Sequence, residues 1–328
     1  MQVDKTYFKN RFWKILPRAI SYILFEGRPL TTRGRWINPI VFLNYKILSK
    51  IPINGPKNDP TFIVGTGRSG TTILGKILSI HRDVAFLNEP KALWFFINKE
   101  DDLIGSYSDI KGRYFFSEND YSIGLKEKLD RIYKSYLSLT FSSFIVDKYP
   151  EQLFRYHYIK KIYSNSKFIF LVRNGEDVIS SISIWSKKYP KTKNESWWGL
   201  NDKKWILLCE QVVKKDDYFK ELFPILKTLD SNYDRAAIEW IATMKYGLKL
   251  SKLYPQDFLI IRYEDLVSNT KKELLSLEDF IGLSDDKIFY KYASSVLKRK
   301  NNKKDFVLNE KVEELFQRTM KSLNYKSI

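Results

Sequence analysis

An open α/β domain, with a central parallel β-sheet flanked by helices on both faces, is the fold class that three features of this 328-residue sequence predict. Five short apolar runs each stand close to a helical pattern. One of them passes through a glycine-rich turn straight into a helix. No internal repeat or low-complexity segment breaks the alternation.

The five runs are Phe62–Val64, Val84–Leu87, Phe144–Val146, Phe168–Val172 and Phe258–Ile261, continuous enough in apolar residues to be strands buried on both faces. Among the helices, Ala237, Ile241, Met244 and Leu248 recur at helical spacing, and Thr270 with Glu273 reads as a capping box opening a helix that stops near Gly282. Residues 1–55 form a basic and aromatic extension, and residues 56–328 are expected to be a single domain. Two helical insertions, about 98–140 and 186–230, are rich in Lys, Tyr, Ser and Trp. They follow strand ends, where open α/β sheets bind ligands, and are read as acceptor-binding segments or lids.

Within the extension, Phe8, Phe12, Trp13, Leu16, Ile20, Ile23 and Leu24 alternate with Lys9, Arg11, Lys14 and Arg18. Such a segment can rest on an anionic membrane surface. It can equally pack on its own domain, the reading favoured here because amphipathic helices in globular proteins mostly cover their own core.

A net charge of +18, from 56 Lys and Arg against 38 Asp and Glu, points to anionic partners: a phosphorylated cofactor, an acidic glycan or peptide, or a membrane surface. The Lys runs are spread along the chain, so part of this charge is simply solvated surface, and no nucleic-acid fold signature accompanies it. The single cysteine, Cys209, excludes an intrachain disulfide and a cysteine-rich zinc site and fits a reducing compartment. The apolar stretches of the N-terminus fall short of the ~18 residues of a membrane span, and no cleavage pattern follows them. Cytoplasmic residence is therefore expected, with peripheral membrane contact compatible with it.

The segment Phe62-Ile-Val-Gly65-Thr-Gly67-Arg68-Ser69-Gly70-Thr71-Thr72 runs from strand to helix through small residues, the P-loop-like arrangement in which backbone amides and a helix N-terminus cradle an anion. Against the nucleotide-hydrolysing pattern G-x-x-x-x-G-K-[ST], Gly65, Gly70 and Thr72 hold their places while Thr71 replaces the lysine and the positive charge moves to Arg68. A terminal phosphoryl group carries close to two negative charges and travels with Mg²⁺. A sulfuryl group in transfer carries one, which arginine, amides and hydroxyls can stabilise without a metal. A second strand-turn-helix follows at Phe168–Ser181, with Arg173 at the strand end and Ser181 eight positions on, suited to a second phosphate. Sulfuryl transfer also needs a base for the acceptor proton and positive charge near the leaving oxygen; Glu89 and Lys148, each just beyond or at a strand end, are the candidates.

The Gly67-Arg68-Ser69-Gly70-Thr71-Thr72 run resembles the 5'-phosphosulfate loop of the sulfotransferase superfamily, and Arg173 with Ser181 resembles its 3'-phosphate site. That resemblance, strongest over 60–90, 143–185 and 233–283, implies 3'-phosphoadenosine 5'-phosphosulfate (PAPS) as co-substrate, no metal, and a hydroxyl-bearing acceptor: a glycan, a lipid-linked sugar or a peptide tyrosine. Glu89 and Lys148 match the base and the leaving-group lysine of the tyrosylprotein and carbohydrate branch, and in motif style the chain also resembles bacterial sulfotransferases. The cytosolic small-molecule enzymes place a histidine two residues after that lysine, where this chain has Pro150; His81 and His157 stand in helical contexts. Arg262-Tyr263-Glu264-Asp265-Leu266 and the helix of Trp240 look like further family segments of structural role. Lys298–Lys304 reads as a solvated run or a late basic loop, and Ser196-Trp197-Trp198-Gly199 as a substrate-stacking surface or a pin for a lid. Two other readings stay open: a Mg-ATP kinase, drawing on Gly65, Gly70, Thr72 and Asp147, and a non-catalytic basic binding protein.

Overall fold

Each expected run becomes a strand of one parallel sheet in the computed structural model, which describes residues 3–56, 58–188, 195–298 and 306–325. The strands are β1 (Thr61–Gly65), β2 (Val84–Asn88), β3 (Phe144–Lys148), β4 (Lys167–Val172) and β7 (Phe258–Arg262), in the order β2-β3-β1-β4-β7. Two short strands, β5 (Glu195–Ser196) and β6 (Gly199–Leu200), form a separate antiparallel pair.

The helices are, in chain order, α1 (Lys5–Asn10), α2 (Ile15–Ile20), α3 (Asn38–Leu48), α4 (Thr71–Ile80), α5 (Lys91–Ile97), α6 (Leu125–Thr140) and α7 (Tyr156–Ile162). They continue with α8 (Gly175–Lys188), α9 (Lys203–Gln211), α10 (Asn232–Leu253), α11 (Tyr263–Ser268), α12 (Thr270–Ile281), α13 (Lys287–Val296) and α14 (Glu310–Ser322). Strand alternation splits the core in two. Ile63 and Ile169 meet α4, α12 and α13 on one face, while Phe62, Val64 and Phe168 meet α6, α8, α10 and α14 on the other. Both faces are covered, which is why these strands read as unbroken apolar runs.

Two expectations are corrected. Thr270 does not form a capping box: it is already helical behind α11, so its hydroxyl donates to the Leu266 carbonyl one turn back, and Glu273 N–H bonds to Asn269. The helix does end at Gly282, whose φ of 89° suits glycine. The segment 98–140 is not insertion throughout, because α6 buries Leu129, Ile132, Tyr133 and Tyr136 against the sheet as the crossover between β2 and β3. Its tyrosines gave it a polar look; their rings are core and their hydroxyls reach Asp147 and the Phe86 carbonyl.

The N-terminal segment packs on the domain with its amphipathic sense inverted. Arg11, Lys14 and Arg18 are buried, while Phe8, Phe12, Trp13 and Leu16 stand exposed. The cations have targets because β2 is an edge strand with unpaired carbonyls. Lys14 Nζ donates to Val84 O at 2.8 Å, Arg18 donates to Phe86 O and to Glu26, and Arg11 bonds to Ile80 O and forks onto Asp286 at 2.5 and 2.7 Å. Burial alone would raise the Asp286 carboxyl, but the Arg11 fork holds it down at about 2.

Arg18→Ala strips donors from Glu26 and Phe86 inside the protein. It should cost ~3 kcal/mol of stability in denaturant unfolding, with Arg18→Lys recovering part of the loss.

Candidate active site

At the carboxyl end of β1 the chain turns through Thr66–Gly70 into α4. Arg68 and Gly70 adopt left-handed backbone, φ 70° and 104°, and no side chain caps the helix. Gly70 also lies so close beneath Tyr263 that an added Cβ would meet the ring at 2.5 Å. The turn leaves the first amides of α4 beside buried hydroxyls, and Thr66 Oγ1 and Ser69 Oγ have no hydrogen-bond partner among the described residues. Unpartnered buried donors around a helix N-terminus are what an anion site requires.

The end of β3 lies next to this loop through its pairing with β1. Successive residues of a strand face opposite ways, which separates Asp147 from Lys148. Lys148, with no exposed surface, donates to Thr72 Oγ1 at 3.2 Å and to Glu89 Oε1 at 2.5 Å. Glu89 follows β2 in left-handed backbone, φ 50°, a costly conformation for a non-glycine residue. Burial by itself would raise the Glu89 carboxyl, but the ammonium groups of Lys148 and Lys91 bring it below the ordinary value, so it is ionised at neutral pH.

Asp147 points to the other face, where it accepts from Trp94 Nε1 and Tyr133 Oη, each at 2.9 Å. Burial pushes its carboxyl up to about 7, only partly opposed by those donors. The kinase reading needed this carboxylate beside the loop, and it is not there. His81 is buried with Nε2 on the Ser284 carbonyl, and His157 is exposed beside Tyr156 and Tyr254; neither bonds to a residue of the loop.

The second predicted anion site joins the first. Arg68 Nε donates to Ser181 Oγ at 3.1 Å, and Arg173 donates to the Arg68 carbonyl at 3.3 Å. Arg173 also lies 3.5 Å from Asp177 and stacks 4.4 Å over the Tyr263 ring, and its Nε has no partner among the described residues. Tyr263 thus serves both sites, while Glu264 accepts from Asn174 N–H and Tyr325 and ties the sheet end to its surroundings. Of the run Lys298–Lys304, residues 299–304 lie outside the described residues.

The sequence reading missed a row of alternating charges leading away from Glu89. Lys91 lies 3.6 Å from Glu89 and 4.0 Å from Glu151; Lys204 lies 3.0 Å from Glu151 and 2.5 Å from Glu239. The row ends where Trp197 Nε1 donates to Glu239 at 3.0 Å and the indole covers Gly67 so closely that an added Cβ would meet it at 2.6 Å. Trp198 is instead buried, bonded to Asn232 and packed on Trp205. Only Lys91, two residues from Glu89, was near enough in sequence to be suspected; the other members come from 151, 204 and 239.

Residues 60–206, which hold this loop, Glu89, Lys148, Arg173 and Ser181, match the model of the sulfotransferase family. Over these residues the chain is similar to the sulfotransferase family. Its fold is similar to the sulfotransferase domain of the Synechococcus PCC 7002 olefin synthase, at 16% identity and a TM-score of 0.50 over 84% of this chain and 98% of that one. The sulfotransferase domain from the curacin biosynthetic pathway gives 17%, 0.49, 84% and 100%, and a sulfotransferase from Mycobacterium avium 12%, 0.47, 88% and 82%. At these identities the likeness is one of fold. No curated protein sequence matches the chain. The central parallel sheet is thus of the same fold as the olefin synthase domain.

Because the Asp147 value in the folded chain lies above the ~3.9 of an unfolded aspartate, the folded state holds the proton more tightly and stability falls as pH rises from about 4 to about 7. Asp147→Asn should remove that loss, on the order of 4 kcal/mol, as read by denaturant unfolding on either side of the window. An unchanged pH slope in the variant would assign the titration to another group.

Proposed function

We propose that the enzyme takes its sulfuryl group from PAPS and delivers it to an acceptor hydroxyl, without a metal, using Glu89 as base. The observation that carries the reading is the buried Lys148 in contact with Thr72 of the loop and with Glu89 at once. One ammonium therefore joins the anion cradle to the proton acceptor.

The groups present suit a bis-phosphate co-substrate. Among the described residues Thr66 and Ser69 offer buried unpartnered hydroxyls and Lys148 has Thr72 and Glu89 as partners, while Arg68 of the loop clusters with Ser181 and Arg173. PAPS, when bound, supplies an activated sulfuryl group on a phosphate leaving group. Arg68, Lys148 and the α4 amides supply the positive charge that a metal supplies in phosphoryl transfer. Glu89, ionised and beside the loop, accepts the proton of the acceptor hydroxyl. The acceptor belongs to the glycan, lipid-linked sugar or peptide tyrosine classes, a reading supported by the indole of Trp197 at the loop and by the net charge of +18. Residence in a reducing, cytoplasmic setting belongs to the same proposal and draws on the lone buried Cys209.

The test is a calorimetric titration with adenosine 3',5'-bisphosphate in EDTA, set beside ATP with Mg²⁺. Micromolar or tighter bisphosphate binding is expected; binding of Mg-ATP alone would replace the proposal with a kinase, and binding of neither with a basic binding protein. Arg173→Ala should weaken the bisphosphate about ten-fold or more, the loss of one or two charge-assisted bonds.

Glu89→Gln should leave bisphosphate binding near the parent value and lower turnover by ~10² or more. The low carboxyl value adds a pH signature: the base form persists through the neutral range, so the acid limb of kcat/KM should fall below the ~4.3 of an ordinary glutamate. An acid limb near neutrality would move the base to another residue.

A further inference from the structure

Ten of the twenty large apolar side chains that stand exposed among the described residues fall in the first 51 positions, less than a sixth of the chain. They follow a pattern. The one-turn helix Arg35–Ile37 runs directly into α3, and along this stretch Trp36, Ile40, Leu43, Ile47 and Ile51 recur at steps of three and four residues, the spacing of a single helix face. Their exposures run from 46% at Ile51 to 78% at Trp36. The inward face of α3 is separately provided for: Val41 and Tyr45 are fully buried, and the Tyr45 hydroxyl donates to the Phe25 carbonyl. A helix apolar toward the core and apolar again on its outer face is built for two apolar surroundings.

The charges that this segment itself contributes are almost all of one sign. Residues 3–51 contain ten Lys or Arg and two carboxylates, Asp4 and Glu26. Asp4 is held by Lys76 at 2.5 Å, and Glu26 is buried against Arg18 at 2.9 Å. Arg33, Lys46 and Lys50 remain exposed beside the stripe with no carboxylate of this segment left to answer them.

We propose that this outer face of α3, with Trp36 at its start, is a docking surface for the anionic leaflet of a lipid bilayer. Lying in the interface plane, the stripe enters the headgroup and acyl boundary while the lysines meet lipid phosphates, and the indole takes the interfacial position that tryptophan favours. A second copy of the chain fits the face less well: a two-fold contact sets the patch on itself and brings Lys46 and Lys50 against their own like charges. Among the described residues no helix is long and apolar enough to cross a membrane, so the contact is with the surface. The inference does not depend on PAPS or on the acceptor.

The test is flotation of the full chain with vesicles of phosphatidylcholine alone and of phosphatidylcholine with phosphatidylserine. The chain should float with the phosphatidylserine vesicles, far less with phosphatidylcholine alone, and less as salt rises. Ile40→Ser/Leu43→Ser/Ile47→Ser should weaken binding by ~ten-fold or more through lost apolar burial, and Lys46→Glu/Lys50→Glu should do the same through charge. Both should keep parental circular dichroism and bisphosphate affinity; if the triple variant unfolds, Leu43→Ser alone is scored in the same assay against the same expectation of reduced flotation. Failure of the parent to float, or flotation by folded variants equal to the parent, would overturn the proposal. So would a lipid-free dimer that the serine variants dissociate, which would assign the face to a second copy.

Discussion

A fully buried ammonium at the end of a β-strand governs the structure around it. Removing Lys148 from water costs several kcal/mol unless its protons are met and its charge balanced, and β3 delivers it to that position through its pairing with β1 and β2. The compensation comes from both sides of the sheet end. Glu89 takes a strained left-handed conformation that sets its carboxylate on the ammonium, and Thr72 offers its hydroxyl from the first turn of α4. A base candidate and an anion loop thus become neighbours because each answers the same buried charge.

The balance extends beyond the pair. Lys148, Lys91 and Lys204 alternate with Glu89, Glu151 and Glu239, three positive groups against three negative, so the row is neutral in itself. Burial would raise Glu151, yet Lys91 and Lys204 hold it far below the usual carboxylate range. Arg68 and Arg173 stand outside the row, with Arg173 3.5 Å from Asp177. Through the row, the protonation of Glu89 is tied to groups contributed by the segment before α10 as well as by the strand ends.

The sheet and the loop were legible in the sequence because both rest on short-range rules. Continuous apolar runs announce strands covered on both faces, and Gly65, Gly70 and the hydroxyl residues announce a turn that a bulkier sequence could not make. The site candidates Arg68, Glu89, Lys148, Arg173 and Ser181 could be named for a related reason: in a parallel sheet every strand ends on the same side, so polar residues just past strand ends converge. What was not legible depends on contacts between distant segments. Arg11, Lys14 and Arg18 read as the polar side of an amphipathic stretch, and only the unpaired carbonyls of β2 reveal why they turn inward. Lys204 and Glu239 carry no local signal of their pairing. Tyr133 and Tyr136 gave α6 the composition of a surface insertion because tyrosine is apolar by area and polar by name.

Trp197 shows how these levels meet. Its indole covers Gly67 at the mouth of the loop, its Nε1 bonds to Glu239, and Lys204 lies 5.0 Å over its ring. The absence of a side chain at Gly67 is therefore a packing requirement as well as a backbone one: the bare Cα lets an aromatic lid lie on the loop. The ring that shields the loop is held by the far end of the charge row that begins at Lys148. Displacing it would expose Gly67 to water and also remove a donor from Glu239, leaving Lys204 as its ion-pair partner and shifting the balance along the row toward Glu151 and Lys91. Cover, loop and base are in this sense one electrostatic unit, assembled from strand ends of the central sheet together with Trp197, Lys204 of α9 and Glu239 of α10.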